Sequence, residues 1–392
     1  MNDPEVTLTL NQVQRYQTCH ALLEGRLTTD QAACALGLSR RQVQRLQHRL
    51  QADGPRALIH GNTARPPANK TPDTIRQQVL HLASTTYARF NFSHLADVLA
   101  EEHHIILSDE TLRRWLRPLG HGRPLHRGKH RRRRTRRSHE GELLFLDGSP
   151  HPWFGPKRPS CCLLLCSDDA TGKPLWGRFQ PEEDRDGCFA VCYHVFARHG
   201  LPGAFYLDRA SQFVTTRHGG LAAWHDPDRE PTHFERAMGQ LKVGLIFAYS
   251  PQARGRGERL NGSFQDRLVA ELGRHKIRDA RRATEYLNAQ FIPRYGHRFG
   301  RAPADPRPAW RAVPAELDLR AVLSAQFARV VANDHTVRFE GATYQLLPPP
   351  RCPSLAGSPI TVQQWFDGSI HFGHARHGVI VAKRLRGGGK SR

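Results

Sequence analysis

The sequence predicts a multidomain chain: an all-α front carrying a helix-turn-helix, a central α/β domain, and a small β-barrel at the end. Three patterns carry that reading. Apolar residues recur at helical spacing through roughly the first 120 positions, apolar strands alternate with helices from residue 142, and period-two alternation takes over in the final eighty or so. A length of 392 residues is enough for two to four domains.

The charge narrows the partner. Fifty-eight Lys and Arg against thirty-six Asp and Glu leave a net charge of +22. A surplus of that size points to a polyanion, nucleic acid being the commonest, and the preponderance of Arg over Lys suits bidentate phosphate contacts. Apolar runs such as residues 161–166 are far too short to cross a bilayer, and the first residues lack the apolar stretch of a secretory signal. The expectation is an intracellular chain without membrane contact, its eight cysteines reduced. Cys161, Cys162 and Cys166 fall on a strand, and Cys188 and Cys192 on a helix near His194 and His199. No CxxC or HxxxH pairing accompanies them, so they read as core thiols rather than zinc ligands.

In the front, residues 28–46 read TTDQAACALGLSRRQVQRL. Ala32, Ala33, Leu36, Leu38, Val43 and Leu46 form the inner face, Gly37 supplies the turn, and Ser39 caps the next helix. That helix presents Arg40, Arg41, Gln42, Gln44 and Arg45, groups that reach phosphates and base edges. Residues 1–53 form this DNA-binding domain, and residues 54–70, rich in Gly, Pro and Asn, a linker. A second helical DNA-binding unit spans 71–120, with helices over 74–83, 93–103 and 108–116 and N-caps at Ser93 and Ser108. Residues 121–138 follow as a basic linker holding nine Lys or Arg and no acid, among them Arg131, Arg132, Arg133 and Arg134. Such a run stays extended until DNA neutralises it.

The central domain covers 139–290. Strands end at or near Asp147, Asp168, Phe179, Asp208 and Tyr249, and helices cover 186–199, 233–242 and 253–272. Three strands, helix, strand, helix, strand, helix is the order of an RNase-H-like fold. In that topology the first and fourth strands are neighbours, which sets Asp147 beside Asp208 and brings Glu258 across from them. Three close carboxylates repel unless cations lie between them. Hard oxygen ligands suit two Mg2+ or Mn2+ ions, the arrangement that drives in-line displacement at a phosphodiester. Asp168 and Asp169 belong to a DDATG turn and read as turn formers. Asn261 and Gln265 share a helix face with Glu258; they either orient DNA or form a solvated polar face. Arg254 and Arg256 stand at the helix entry, where DNA phosphate would meet them. A connector spans 291–320, the small barrel 321–385, and a tail expected to be disordered 386–392.

The segments LDGSPHPWFG, LLLCSDDATGKPL, FYLDRASQF and YSPQARGRGERLNGSFQDRL together resemble bacterial insertion-sequence transposases with a retroviral-integrase-like catalytic core, in particular the ISNCY type. The resemblance covers nearly the whole chain, the terminal barrel being similar to that of Mu-type transposases. It implies a DDE enzyme whose catalytic and metal-holding acids are Asp147, Asp208 and Glu258. It further implies binding of double-stranded DNA at terminal inverted repeats and target, strand transfer from a freed 3′ hydroxyl, a synaptic homo-oligomer, and a bacterial cytoplasmic, nucleoid-associated location. Two departures stand out. Fifty residues separate Asp208 from Glu258, the excess lying in a polar insertion over 215–231, and Gly257 occupies a position where such motifs usually carry Val. No N-terminal His/Cys zinc spacing of the retroviral kind is present. A silent DNA-binding regulator derived from a transposase, or a nuclease that cuts without joining, are the rival readings.

Overall fold

The computed structural model describes residues 8–59, 70–122, 135–208, 213, 230–247, 255–350 and 352–385. The basic residues Arg131, Arg132, Arg133, Arg134 and Arg254, most of the 215–231 insertion and the 386–392 tail lie outside them. Two compact units emerge, Met1–Gln78 and Val79–Arg392, the division falling within one helix.

In the first unit, α1 (Leu10–Leu23), α2 (Thr29–Leu36) and α3 (Arg40–Asp53) close around Cys19, Leu50 and Leu58. The predicted turn is realised. Gly37 ends α2 with φ of 62°, a conformation that costs glycine nothing. Ser39 then starts α3 by accepting from the Gln42 backbone, while the Gln42 side chain returns to Ser39. Val43 is buried; Arg40, Arg41, Gln44 and Arg45 are exposed. Helix α4 (Asp73–Ser84) spans the division.

The second unit continues with α5 (Phe92–His103) and α6 (Asp109–Leu116). Ser108 caps α6 as expected, but α5 is capped by Asn91, not Ser93. An Asn oxygen one turn earlier accepts from the His94 backbone, which leaves Ser93 inside the helix with its hydroxyl free for another partner.

The central sheet has the order β3-β2-β1-β4-β5. Its strands are β1 (Leu143–His151), β2 (Cys161–Asp168), β3 (Pro174–Gln180), β4 (Ala204–Leu207) and β5 (Gly244–Phe247). The first three pair antiparallel; β1, β4 and β5 pair parallel. Helices α7 (Arg185–His199), α8 (His233–Gln240) and α9 (Gly255–Arg274) follow β3, β4 and β5, so the predicted order and the β1–β4 adjacency both hold. Period-two alternation sorts the strand residues: Leu144, Leu146, Cys162, Leu164 and Cys166 pack on the core with α7 and α8, whereas Leu163, Leu165 and Phe179 pack with α9. Asp147, in phase with Phe145, therefore faces α9.

Beyond α9, α10 (Ala280–Tyr286), a π segment (Leu287–Phe291) and α11 (Ile292–Phe299) run on as one rod. Phe291, Ile292 and Tyr295 join the α9 core, so the start of the expected connector is packed helix. The rod also covers the edge strand: Thr284 Oγ1 accepts from the Phe179 amide at 3.0 Å, and the Asn288 amide both accepts from and donates to the Gly177 backbone, at 3.0 and 2.7 Å.

After a short α12 (Leu319–Val322), the C-terminal strands are β6 (Ser324–Val330), β7 (Thr336–Phe339), β8 (Ala342–Leu346), β9 (Pro359–Trp365), β10 (Ile370–His374), β11 (Gly378–Ile380) and β12 (Ala382–Arg384). Among the described residues they form two sheets, β11-β10-β9-β6 and β12-β8-β7, rather than the closed barrel expected. The alternating residues are satisfied by a shared core of Val337, Phe339, Leu346, Val362 and Phe372, which period-two patterning demands equally of a sandwich and of a barrel.

The second helical unit is bolted to α9. Arg267 donates to Asp97 at 2.9 Å and to Ser93 at 3.0 Å, Arg274 binds Glu102 at 2.7 Å, and Asn91 bonds Asp266. At the centre, buried Glu271 meets buried His94 at 3.0 Å and accepts from the Tyr286 hydroxyl at 3.0 Å. Burial pushes the Glu271 carboxyl up, but His94, Arg294 and Tyr286 together outweigh it and hold it down at about 2. A carboxylate depressed in the folded state stabilises fully above the ordinary carboxyl range, and that contribution fades as pH falls towards about 2. Replacing Glu271 with Gln should remove on the order of 3 kcal/mol at neutral pH and flatten the loss of stability between about pH 5 and 2, as read by calorimetric melting. Parallel pH dependences in the two proteins would refute it.

Candidate active site

The acids sit where two strands part company. On its β4 side, β1 is paired only as far as Phe145, opposite Tyr206. Carrying that register on by two residues sets Asp147 level with Asp208, the residue that follows β4 directly. On its β2 side the strand continues to His151, with Asp147 opposite Leu165. Asp147 is thus not the end of its strand, as the apolar run that closes on it suggested. It is the point at which one edge of that strand is released while the other stays paired, since β2 is long enough to partner the residues beyond.

Asp147 and Asp208 line one small cavity together with Phe145, Leu146, Tyr206, Leu207 and Gly257. Gly257 lies in the first turn of α9, and a Cβ placed there would come within 3.3 Å of Asp147 Oδ2. The missing side chain is what lets the helix backbone close on the carboxylate. Glu258, next in sequence, is exposed. Among the described residues no three His, Cys, Asp or Glu side chains converge closely enough to hold an ion, so two of the three expected acids are brought together and the third stands beside them.

One helical turn on, Asn261 Nδ2 donates to Asp147 Oδ2 at 2.8 Å, and Gln265 Nε2 donates to Ser149 Oγ at 3.0 Å. Asn261 and Gln265 thus lie against β1, while Glu258 on the same side of the helix stays exposed. Arg256 turns to Asp169, whose side chain is fully buried, and its own side chain is only 16% exposed. Asp169 also accepts from the Arg137 backbone at 2.8 Å, and Arg136 donates to the Asp169 carbonyl. Asp168 accepts from the Gly141 amide at 2.9 Å and from the Thr171 amide and hydroxyl at 2.7 Å each. The DDATG turn is therefore a buried joint between the end of the basic segment and the start of α9. Sequence reasoning found the turn but not this joint, because Arg256 and Asp169 are 87 positions apart. Another carboxylate was missed altogether: Glu183 lies against Gly148, where any Cβ would overlap it.

All eight cysteines are free. Burial pushes Cys161 up to about 11 and Cys162 up to about 12, which keeps both as thiols. His194 stacks on Trp176 with ring centres 4.1 Å apart, and His199 on Trp310 at 5.4 Å. On α3, Arg41, Gln44 and Arg45 remain exposed, while Arg40 meets Asp30 at 3.1 Å on the surface. No helix among the described residues is long and apolar enough to cross a membrane.

Residues 15–77 match the winged helix-turn helix family. Over 371 residues the chain is 32% identical to a putative transposase, y4bF, of Sinorhizobium fredii, covering 93% of this chain and 79% of that protein. Over 406 residues it is 30% identical to the transposase for insertion sequence IS1202 of Streptococcus pneumoniae, covering 92% and 84%. Similar solved structures include the catalytic core domain of HTLV-2 integrase, at 14% identity over 39% of this chain and 90% of that one, with a TM-score of 0.29. A chain of the simian T-cell lymphotropic virus intasome matches at 13% identity over 78% of this chain and 95% of that one, with a TM-score of 0.33. The chain belongs to the transposases, enzymes of DNA transposition and integration. Within them, its relatives include the transposase of one bacterial insertion sequence, IS1202.

The contact at Gly257 yields a test in which two effects oppose. Gly257→Ala adds helix propensity to α9, about 1 kcal/mol in favour of folding. It also forces Asp147 Oδ2 to yield by a few tenths of an ångström, against the Asn261 bond that holds it. The variant should melt no lower than the parent and yet cleave DNA about tenfold more slowly. Parent-like cleavage would show that the approach of α9 to Asp147 is not set by this residue.

Proposed function

We propose that the enzyme cuts the phosphodiester at each end of its own element and transfers the freed 3′ hydroxyl into target DNA, with Asp147, Asp208 and Glu258 as catalytic acids. One observation carries the reading: the β1–β4 register, carried on by two residues, levels Asp147 with Asp208, and both line one cavity with Gly257, the residue preceding Glu258. The donor set fits a hard divalent cation. Two carboxylates share the cavity, and Glu258 stands exposed on the first helical turn, within one residue of the Asp147 contact. Asp147, Asp208 and Glu258 would hold two Mg2+ or Mn2+ ions. Such a pair stabilises the charge on the attacking and leaving oxygens of an in-line displacement.

The chain supplies the rest. Asn261 fixes one oxygen of Asp147, which sets the direction of the other. Gln265 and Ser149 continue that polar line along β1, within reach of a strand lying on α9. The attack needs no protein nucleophile. Sequence choice rests with α3, where Arg40, Arg41, Gln44 and Arg45 face outwards. Arg131, Arg132, Arg133, Arg134 and Arg254 add sequence-independent attraction to phosphate. Two ends must be held for joining, so the working form is a homo-oligomer on double-stranded DNA.

Asp147→Asn, Asp208→Asn and Glu258→Gln should each abolish cleavage and joining of paired end fragments while leaving binding of end DNA largely intact. Calcium in place of magnesium should support binding without chemistry, because its looser geometry misplaces the attacking oxygen. Normal joining by Asp208→Asn would defeat the assignment. In the front domain, Arg41→Ala or Arg45→Ala should weaken binding to the terminal repeat by about 1–3 kcal/mol more than to random duplex, measured by titration of both DNAs. An equal loss on the two would mean phosphate contact only.

A further inference from the structure

A second cavity, of about 460 Å³, opens beside the acids. Four guanidinium groups line it, those of Arg136, Arg256, Arg259 and Arg301, together with the rings of Tyr295 and Phe299. It shares two lining residues, Phe145 and Gly257, with the small cavity that holds Asp147 and Asp208. The partition between the two is therefore one aromatic ring and one residue without a side chain.

The charges in this cavity do not balance. Two carboxylates line it, and both are already committed. Asp168 is saturated by the Gly141 amide and by Thr171; Asp169 binds Arg256 and the Arg137 amide. Among the described residues Arg136, Arg259 and Arg301 make no ion pair. Arg136 is pushed below its ordinary range by burial and then by the neighbouring Arg256 and Arg301, a mark of like charges crowded together. Tyr295 and Phe299 pack with ring centres 4.7 Å apart and the Arg267 guanidinium lies 4.6 Å from the Phe299 ring centre, yet Phe299 is still 38% exposed although large and apolar. Arginines short of an anion next to a partly exposed flat ring suit a ligand that is both anionic and planar. The volume falls within the range of small-ligand sites.

We propose that this cavity seats one nucleotide of the DNA strand being processed, its phosphate among Arg136, Arg259 and Arg301 and its base against Phe299. The proposal rests on reading the adjoining acids as the catalytic centre. A base paired in a duplex cannot enter so confined a space, so the nucleotide leaves the helix, and its unstacking is repaid by the ring and the guanidinium groups. Gly257 gains a second role: with no side chain there, the strand passes from the acids to the cavity across bare helix backbone.

The test uses the full chain without divalent metal, so it reads no chemistry and is independent of the acid assignment. Calorimetric titration with 2′-deoxyadenosine 5′-monophosphate and with inorganic phosphate should show tighter binding of the nucleotide. Arg301→Ala should weaken both by about tenfold. Phe299→Leu, which keeps an apolar side chain but removes the flat ring, should weaken the nucleotide by about fivefold or more and leave phosphate unchanged. Both residues are exposed, and thermal melting checks that the variants fold. End DNA carrying 2-aminopurine next to the cut should brighten on binding the parent and not on binding Phe299→Leu. Equal affinity for phosphate and nucleotide, or affinities indifferent to Arg301→Ala, would overturn the proposal, and so would unchanged 2-aminopurine emission with the parent.

Discussion

The closeness of α9 to β1 is the constraint on which the rest depends. A helix normally stands off a sheet by the depth of its side chains. Here the first turn presents a glycine to Asp147, and the approach is limited by backbone instead. That single contact sets the height of Glu258 above the sheet and brings the Asn261 amide within bonding distance of Asp147. Farther along, Phe264, Leu268 and Leu272 bury against Leu163, Leu165 and Phe179, so the hydrophobic core holds the helix down while the polar turn sets its register.

The same helix has a second face. Arg267, Glu271 and Arg274 engage α5 through ion pairs and a buried His94–Glu271 contact. Buried pairs of this kind add little net stability but penalise any misplacement, because a shifted partner leaves a charge in a dry interior. They make α5 an extension of the catalytic domain in mechanical terms. At the other end of the helix, Arg256 and Asp169 tie the start of α9 to Arg136 and Arg137, the close of the basic segment.

Much of this was legible in the sequence, for reasons that differ by element. Asp208 could be read because an apolar run of four residues ends at a carboxylate, and the helix-turn-helix because Gly37 and Ser39 are chemically required where they stand. The sharing of one helix face by Glu258, Asn261 and Gln265 follows from 3.6-residue periodicity, but the β1 partners of Asn261 and Gln265 lie more than a hundred positions away and leave no local trace. The α5–α9 contacts were hidden for the same reason. Ser93 was mistaken for a cap because Ser and Asn serve equally well there, and the helix began earlier. In the C-terminal region, alternation states only that strands have a wet and a dry face; it does not say whether the sheet closes.

The covering of β3 by Thr284 and Asn288 bears on how copies of the enzyme can assemble. An edge strand with unspent amides and carbonyls invites another strand, whether from a second copy or from an unfolding neighbour. At Gly177 both groups, and at Phe179 the amide, are already spent on side chains of the following rod. Sheet-to-sheet growth through β3 is thereby hindered at these positions.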